Sequence, residues 1–311
     1  MLMKQVMELF ELLDKPSANG EELVKLFLEN KATTAASRTV AGERGKTDAV
    51  KILIAGKNGK SLGKNAPTLG IIGRLGGLGA RPGITGFVSD GDGALAALSA
   101  GLKIAQMNRN GDILEGDVII ATHICPAAPV SEHKPVPFMG SPIDMETMNR
   151  YEVDAQMDAI LSIDTTKGNR VINACGFAIS PAVKEGYILK VSDSLMDIMT
   201  GVTGRMPLVF PLSQQDITPY GNGLFHLNSI LQPATATDAP VVGVAITTEQ
   251  PVAGCATGAT HPAAVEAASR FAVEVAKAYT QNKCEFYSRE EFDVIRKLYG
   301  DMKRFQTIPA C

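Results

Sequence analysis

The stretch FVSDGDGALAAL, residues 87–98, sets Asp90 and Asp92 between an apolar run and a run of helical spacing. Carboxylates at the carboxyl end of a strand either offer oxygen ligands to divalent ions or cap the helix that follows. Asp164 closes the apolar run AILSID, and His261 precedes the helical run PAAVEAA. Asp90, Asp164 and His261 are therefore a candidate metal set, for which a divalent ion such as Zn is the cofactor that these donors suit. His123 and Cys125 end DVIIATHIC and offer a different chemistry, a thiol nucleophile with a base two residues away on the same strand face. Arg74, in LGIIGRLGG, supplies a fixed positive charge. It either pairs with Asp90 in a salt bridge or, with Asp92, binds a small carboxylate- or phosphate-bearing substrate.

The glycines around Asp90 raise a rival reading. GDGALA matches the dinucleotide pattern G-x-G-x-x-A, in the strand-to-helix context it requires. Asp90 and Asp92 would repel a pyrophosphate there, and the next strand ends in Thr122, His123, Ile124 and Cys125 where an acid should hold the ribose. The earlier GRLGGLG lacks the Gly-Lys-Ser/Thr ending of a phosphate loop. His133 and His226 show no ligand spacing.

Strands are expected at AVKILIAG, APTLGIIG, ITGFVSD, GDVIIATHIC, AILSID, PLVFPLSQQ and APVVGVAI. Helices are expected around Leu9, Leu12 and Leu13, from an N-cap at Asn19 to about Asn30, from Gly93 to about Met107, in PAVKEGYILKVSDSLMDIMTGVTG after an initial strand or loop, and from His261 to about Tyr279. The apolar run of GDVIIATHIC suits a sheet covered on both faces. Strands alternating with helices, and no composition break, indicate one α/β domain over 1–311 with a mostly parallel sheet. Residues 126–150 are Pro-rich at first and read as a loop, which at that length serves as a lid over a site or an arm between subunits of a homo-oligomer.

Composition narrows the partners. The net charge of −3, the missing Trp and the absence of a basic stripe argue against nucleic acid. No apolar run approaches the roughly 20 residues of a membrane span, and the amphipathic start MLMKQVMELFELLDKP does not read as a signal peptide. Five cysteines without a C-x-x-C pair read as free thiols in a reducing cytoplasm. A small molecule or peptide is the expected ligand.

The order of these pieces resembles the dinuclear zinc exopeptidases, notably the glutamyl and tetrahedral aminopeptidases. LFELLDKPSANGEELVKLFLE is similar to their opening helices, SDGDGALAALSAGL to their bridging Asp, turn and helix, LSIDTTKG to a later Asp-bearing strand, and VVGVAITTEQPVAGCATGATHPAAVE to the last strand and ligand His. That resemblance implies a three-layer α/β/α sandwich and hydrolase-like chemistry on a small peptide or amino-acid derivative, with metal-dependent amide hydrolysis if a metal binds. About 15 residues separate Arg74 from Asp90, too few for those enzymes' inserted oligomerisation domain. The sequence departs from them where their His-x-Asp becomes Arg74-Leu75-Gly76 and their Glu-Glu becomes Ile124-Cys125 or a near neighbour. These departures imply a degenerate metal site. Three readings follow: a metallo-aminopeptidase-like hydrolase, a non-catalytic small-molecule-binding relic of that fold, and a Cys-dependent hydrolase using Cys125. The chain also resembles, nearly end to end, the bacterial and archaeal family called domain of unknown function 1177, through PTLGIIGRLGG, FVSDGDGALAAL, GDVIIATHICP, PVPFMGSP, ILSIDTTKGNRVIN and ITPYGNGL.

Overall fold

The structure is a computed structural model and describes residues 2–74, 86–132, 138–224, 226, 229–251 and 260–307. Helices α1 (Met3–Leu13) and α2 (Gly20–Glu29) open the chain, and Asn19 caps α2 by accepting from the Glu22 amide at 3.0 Å. A hairpin of β1 (Thr34–Gly42) and β2 (Gly45–Ile54) follows, then β3 (Leu69–Gly73), α3 (Asp92–Arg109) and β4 (Val118–Ile124). The pair β5 (Val130–Ser131) and β6 (Phe138–Met139) precedes α4 (Met145–Glu152) and β7 (Ala159–Thr166). Short strands β8 (Gly176–Ile179), β9 (Val183–Lys184) and β10 (Tyr187–Ile188) lead to α5 (Asp193–Thr203), β11 (Val241–Thr247), α6 (Pro262–Thr280) and α7 (Arg289–Tyr299).

The main sheet runs β1-β2-β4-β3-β7-β11-β9-β10, with β8 also paired to β11. Its centre, β4-β3-β7-β11, is parallel, and antiparallel strands flank it on both sides. One face, through Ile71, Ile120, Leu161 and Val244, packs on α1, α2, α3, α5 and α6. The other, through Ile72, Ala121, Ile160 and Ala245, is covered by α4 and the segments around Phe210 and Leu231. Apolar residues on both faces of the central strands bury the sheet between two layers, the three-layer α/β arrangement expected. Among the described residues no helix is long and apolar enough to cross a membrane.

Two expected strands are not found among the described residues. Ile84 and Thr85 of ITGFVSD lie outside them, and the rest forms no strand: Ser89–Gly91 make a turn of 3-10 helix leading directly into α3. PLVFPLSQQ makes a single bridge, Val209 to Ile179, because Pro207 and Pro211 supply no amide to a ladder. The segment 126–150 is more ordered than expected, since it holds the β5–β6 pair and most of α4, whose N-cap Asp144 accepts from the Thr147 amide. Gly76, Gly77 and Gly79 of the first Gly-rich turn, with His133, lie outside the described residues.

Candidate active site

The carboxyl ends of β3, β4 and β7 meet at one edge of the sheet, where open α/β sheets place their sites. The register sets Ile72 opposite Ala121 and Gly73 opposite Ile163. Carried one residue further, it puts Arg74 between His123 and Asp164, an order that the Arg74 amide secures by donating to the Ile163 carbonyl at 2.8 Å. Alternation along the strands turns these three side chains to the face covered by α4.

Helix α3 approaches from the other face. A Cβ at Gly93 would lie 2.4 Å from the Ile163 carbonyl oxygen and 3.1 Å from Asp164 Cα, and one at Gly73 would lie 2.6 Å from Ala94 Cα. Only glycines let the helix start press this close on β3 and β7. The second glycine of G-x-G thus serves helix–strand packing, and the Thr165 hydroxyl ties the same turn down by donating to the Ser89 carbonyl at 2.9 Å. The N-cap of α3 is Gly91, so neither aspartate caps the helix through its side chain.

Asp90, Asp92 and Asp164 are all buried. Burial, then the Asp164 and Asp92 carboxylates, hold the Asp90 carboxyl well above the ordinary carboxylate range, against the Lys167 ammonium. Burial pushes Asp92 up to about 7, with Lys167 again opposing. Burial raises Asp164 to about 6, although Ser229 Oγ donates to its Oδ2 at 2.8 Å and the Thr165 amide to its Oδ1 at 2.7 Å. Asp92 Oδ1 is buried and has no hydrogen-bond partner among the described residues.

Arg74 pairs with Glu152 rather than with Asp90. The guanidinium is 0% exposed and donates through Nη1 to Glu152 Oε2 at 2.5 Å and to Asn149 Oδ1 at 3.2 Å, and Nη2 meets the Met145 sulfur. Glu152 Oε1 in turn lies 2.7 Å from His123 Nδ1. Burial works against ionising Glu152, but Arg74 and His123 outweigh it and keep its pKa below the usual value. Arg74, Glu152 and His123 therefore form a sealed charge network beside Asp164, bolted to the next layer where Asn149 Nδ2 donates to the Gln232 carbonyl at 3.1 Å.

Cys125 and His123 are not joined. The thiol donates to the Lys46 carbonyl at 3.5 Å, packs with Val88, Ala128 and Met139, and is pushed up to about 11 by burial. A thiol in that state is a small hydrophobe rather than a nucleophile. His261 is exposed at the start of α6, and its side chain makes no capping bond. Among the described residues no three His, Cys, Asp or Glu side chains are grouped to hold a metal ion.

Tyr220 also belongs to this region. Desolvation and the Asp164 carboxylate raise its phenol to about 12 although the residue is 41% exposed, and its ring stacks on His226 at 4.2 Å. Tyr220 stands in ITPYGNGL and Lys167 in LSIDTTKG, both legible as motifs, whereas no sequence signal marked Glu152, Asn149 or Ser229.

The family model described as protein of unknown function (DUF1177) matches residues 38–309. The chain belongs to this family. No curated protein matches it. Among solved structures, the bottromycin maturation enzyme BotP in complex with Mn matches with a TM-score of 0.51 and 14% identity, over 89% of this chain and 70% of that one. The LapA aminopeptidase of Legionella pneumophila matches with a TM-score of 0.50 and 13% identity, over 88% and 69%. At such identities the likeness is one of fold, and the fold of this DUF1177 member is the aminopeptidase-like one its sequence order resembles.

Proposed function

We propose that the carboxyl edge of the sheet binds a small peptide or amino-acid derivative, with the ligand's ammonium end drawn to Asp90, Asp92 and Asp164. The observation that carries this reading is the burial of three carboxylates around the start of α3, each with its pKa raised. A cation entering such a site relieves repulsion in a medium where charges interact strongly. Asp164 and Asp92, at about 6 and about 7, also exchange protons near neutrality, as general acid–base work on an amide requires. The hydrolase-like fold supports that chemistry by analogy only.

A two-metal centre does not fit the described residues at this edge. A guanidinium locked to Glu152 stands at the end of β3, His261 is exposed, and no third ligand joins Asp90 and Asp164 among the described residues. Zinc sites take three or four protein ligands, and Asp90 and Asp164 supply two.

Titration calorimetry at pH 7.5 with dipeptides and aminoacyl amides tests the proposal, alongside product analysis for amide cleavage. Binding is expected in the parent protein and a loss of about tenfold or more in Asp90→Asn, the cost of one charge-assisted contact. Binding that Asp90→Asn leaves unchanged would sink the assignment. Stoichiometric Zn, Mn or Co in the protein as isolated would replace it with metal-dependent hydrolysis. Binding without cleavage would make the chain a non-catalytic member of the fold.

A further inference from the structure

A second cavity, of about 820 Å³, lies between β8, α5 and α6. It shares no lining residue with the carboxylate site. Its volume falls within the few hundred to about 1,000 Å³ of small-molecule sites. Phe177, Met199, Leu208 and Ala267 give it an apolar lining, and the first two are themselves almost wholly buried. Met206 stands beside them 81% exposed, an apolar side chain held in water where the cavity opens.

The charged lining is asymmetric. Arg205 is exposed, and its guanidinium makes no hydrogen bond or ion pair among the described residues. Arg270 uses Nη1 on the Val202 carbonyl and Nη2 on Glu266, while its Nε is buried without a partner. The first turn of α6 contributes little of its own, because Pro262 has no amide hydrogen and the Ala264 and Val265 amides donate to the His261 carbonyl at 2.9 and 3.1 Å. Glu249 is the one acidic side chain among the described lining residues.

We infer that this cavity binds a small amphiphilic carboxylate, its alkyl part against Phe177, Met199 and Leu208 and its head group at Arg205 and Arg270. An apolar lining alone would take any alkyl chain. The unpaired guanidinium and the unpartnered Arg270 Nε select a charged oxygen acid over a neutral alcohol, since charge-assisted bonds are about twice as strong as neutral ones.

Cys175 makes the inference measurable. It is an exposed thiol lining the cavity, whereas Cys125 and Cys284 are buried. Decanoate is the probe, decanol its neutral control, and iodoacetamide alkylation of the Cys175 peptide, followed by mass spectrometry on the full chain, is the readout. At ten times its Kd, decanoate is expected to slow alkylation about tenfold by mass action. Arg205→Ala should weaken this protection about tenfold, and Glu249→Gln should strengthen it. Ala263→Trp, at an exposed lining position on α6, should fill the mouth and abolish protection while leaving the circular dichroism spectrum unchanged. Full-rate alkylation at millimolar decanoate would overturn the site. Equal protection by decanol would overturn recognition of the carboxylate. Protection that survives both Ala263→Trp and Arg205→Ala would place the ligand elsewhere and overturn the assignment as well.

Discussion

At the scale of single residues, the decisive finding is what Arg74 touches. The guanidinium at the end of β3 was expected to pair with Asp90, yet its ion pair is with Glu152, 78 residues along the chain. With Arg74 0% and Glu152 1% exposed, neither charge has water to fall back on. Truncating one member of a buried pair leaves the other uncompensated, at a cost of about 3–5 kcal/mol. Arg74→Ala is therefore expected to lose that much stability in urea unfolding, and the double variant Arg74→Ala/Glu152→Ala less than the sum of the single losses. Additive losses would show that the two side chains act independently. The same burial explains why Cys125 is poorly suited to nucleophilic work: a thiol raised to about 11 is protonated at neutral pH.

At the scale of elements, the site depends on how closely α3 seats itself on β3 and β7. Gly93→Ala would set a methyl group 2.4 Å from a backbone oxygen that cannot rotate away. The helix must shift, and about 1–3 kcal/mol of destabilisation is expected, the usual range for overpacking. Gly201 in α5 is the control, for a Cβ there meets nothing within 4 Å. Gly201→Ala should instead stabilise, by up to about 1 kcal/mol, through helix propensity. Chemical denaturation of both variants reads the contrast, and a neutral Gly93→Ala would mean that the seat is looser than described. Much of this layer was legible beforehand: the N-cap at Asn19, the strands at β3, β4, β7 and β11, and the helices α3 and α6 follow from apolar period and capping chemistry. PLVFPLSQQ misleads because Leu208, Phe210 and Leu212 pack on the core as a strand's residues would, while its prolines prevent a ladder. Helix α4 was hidden because METMNRYE is short and mostly polar and follows a Pro-rich run. The site was half legible. Asp90, Asp92 and Asp164 stand at element ends, where pattern reveals them, but Glu152 and Ser229 arrive through tertiary packing, which spacing does not encode.

At the scale of the whole molecule, the buried carboxylates tie stability to pH in a direction opposite to the usual one. A carboxyl whose pKa rises on folding binds more protons in the folded state than in the unfolded one, so stability falls as pH rises. For Asp92, that loss begins near its unfolded pKa of about 4 and is complete near its folded value of about 7. Asp164 adds a smaller loss that ends near 6. Glu152 works the other way: its lowered pKa contributes stability above its unfolded value, which is lost only as pH falls through the folded one. The two effects separate by mutation. Asp92→Asn keeps the shape and removes the titration, so its melting temperature relative to the parent should be near equal below about pH 4, climb in its favour to about pH 7, and stay constant above that. A peptide or amine ligand paired with the ionised carboxylates should shrink the parent's loss at pH 8 and leave Asp92→Asn less affected. A difference between the two proteins that does not change with pH would mean that Asp92 titrates as an ordinary carboxylate, and Asp92 would then lose its claim to exchange protons near neutrality.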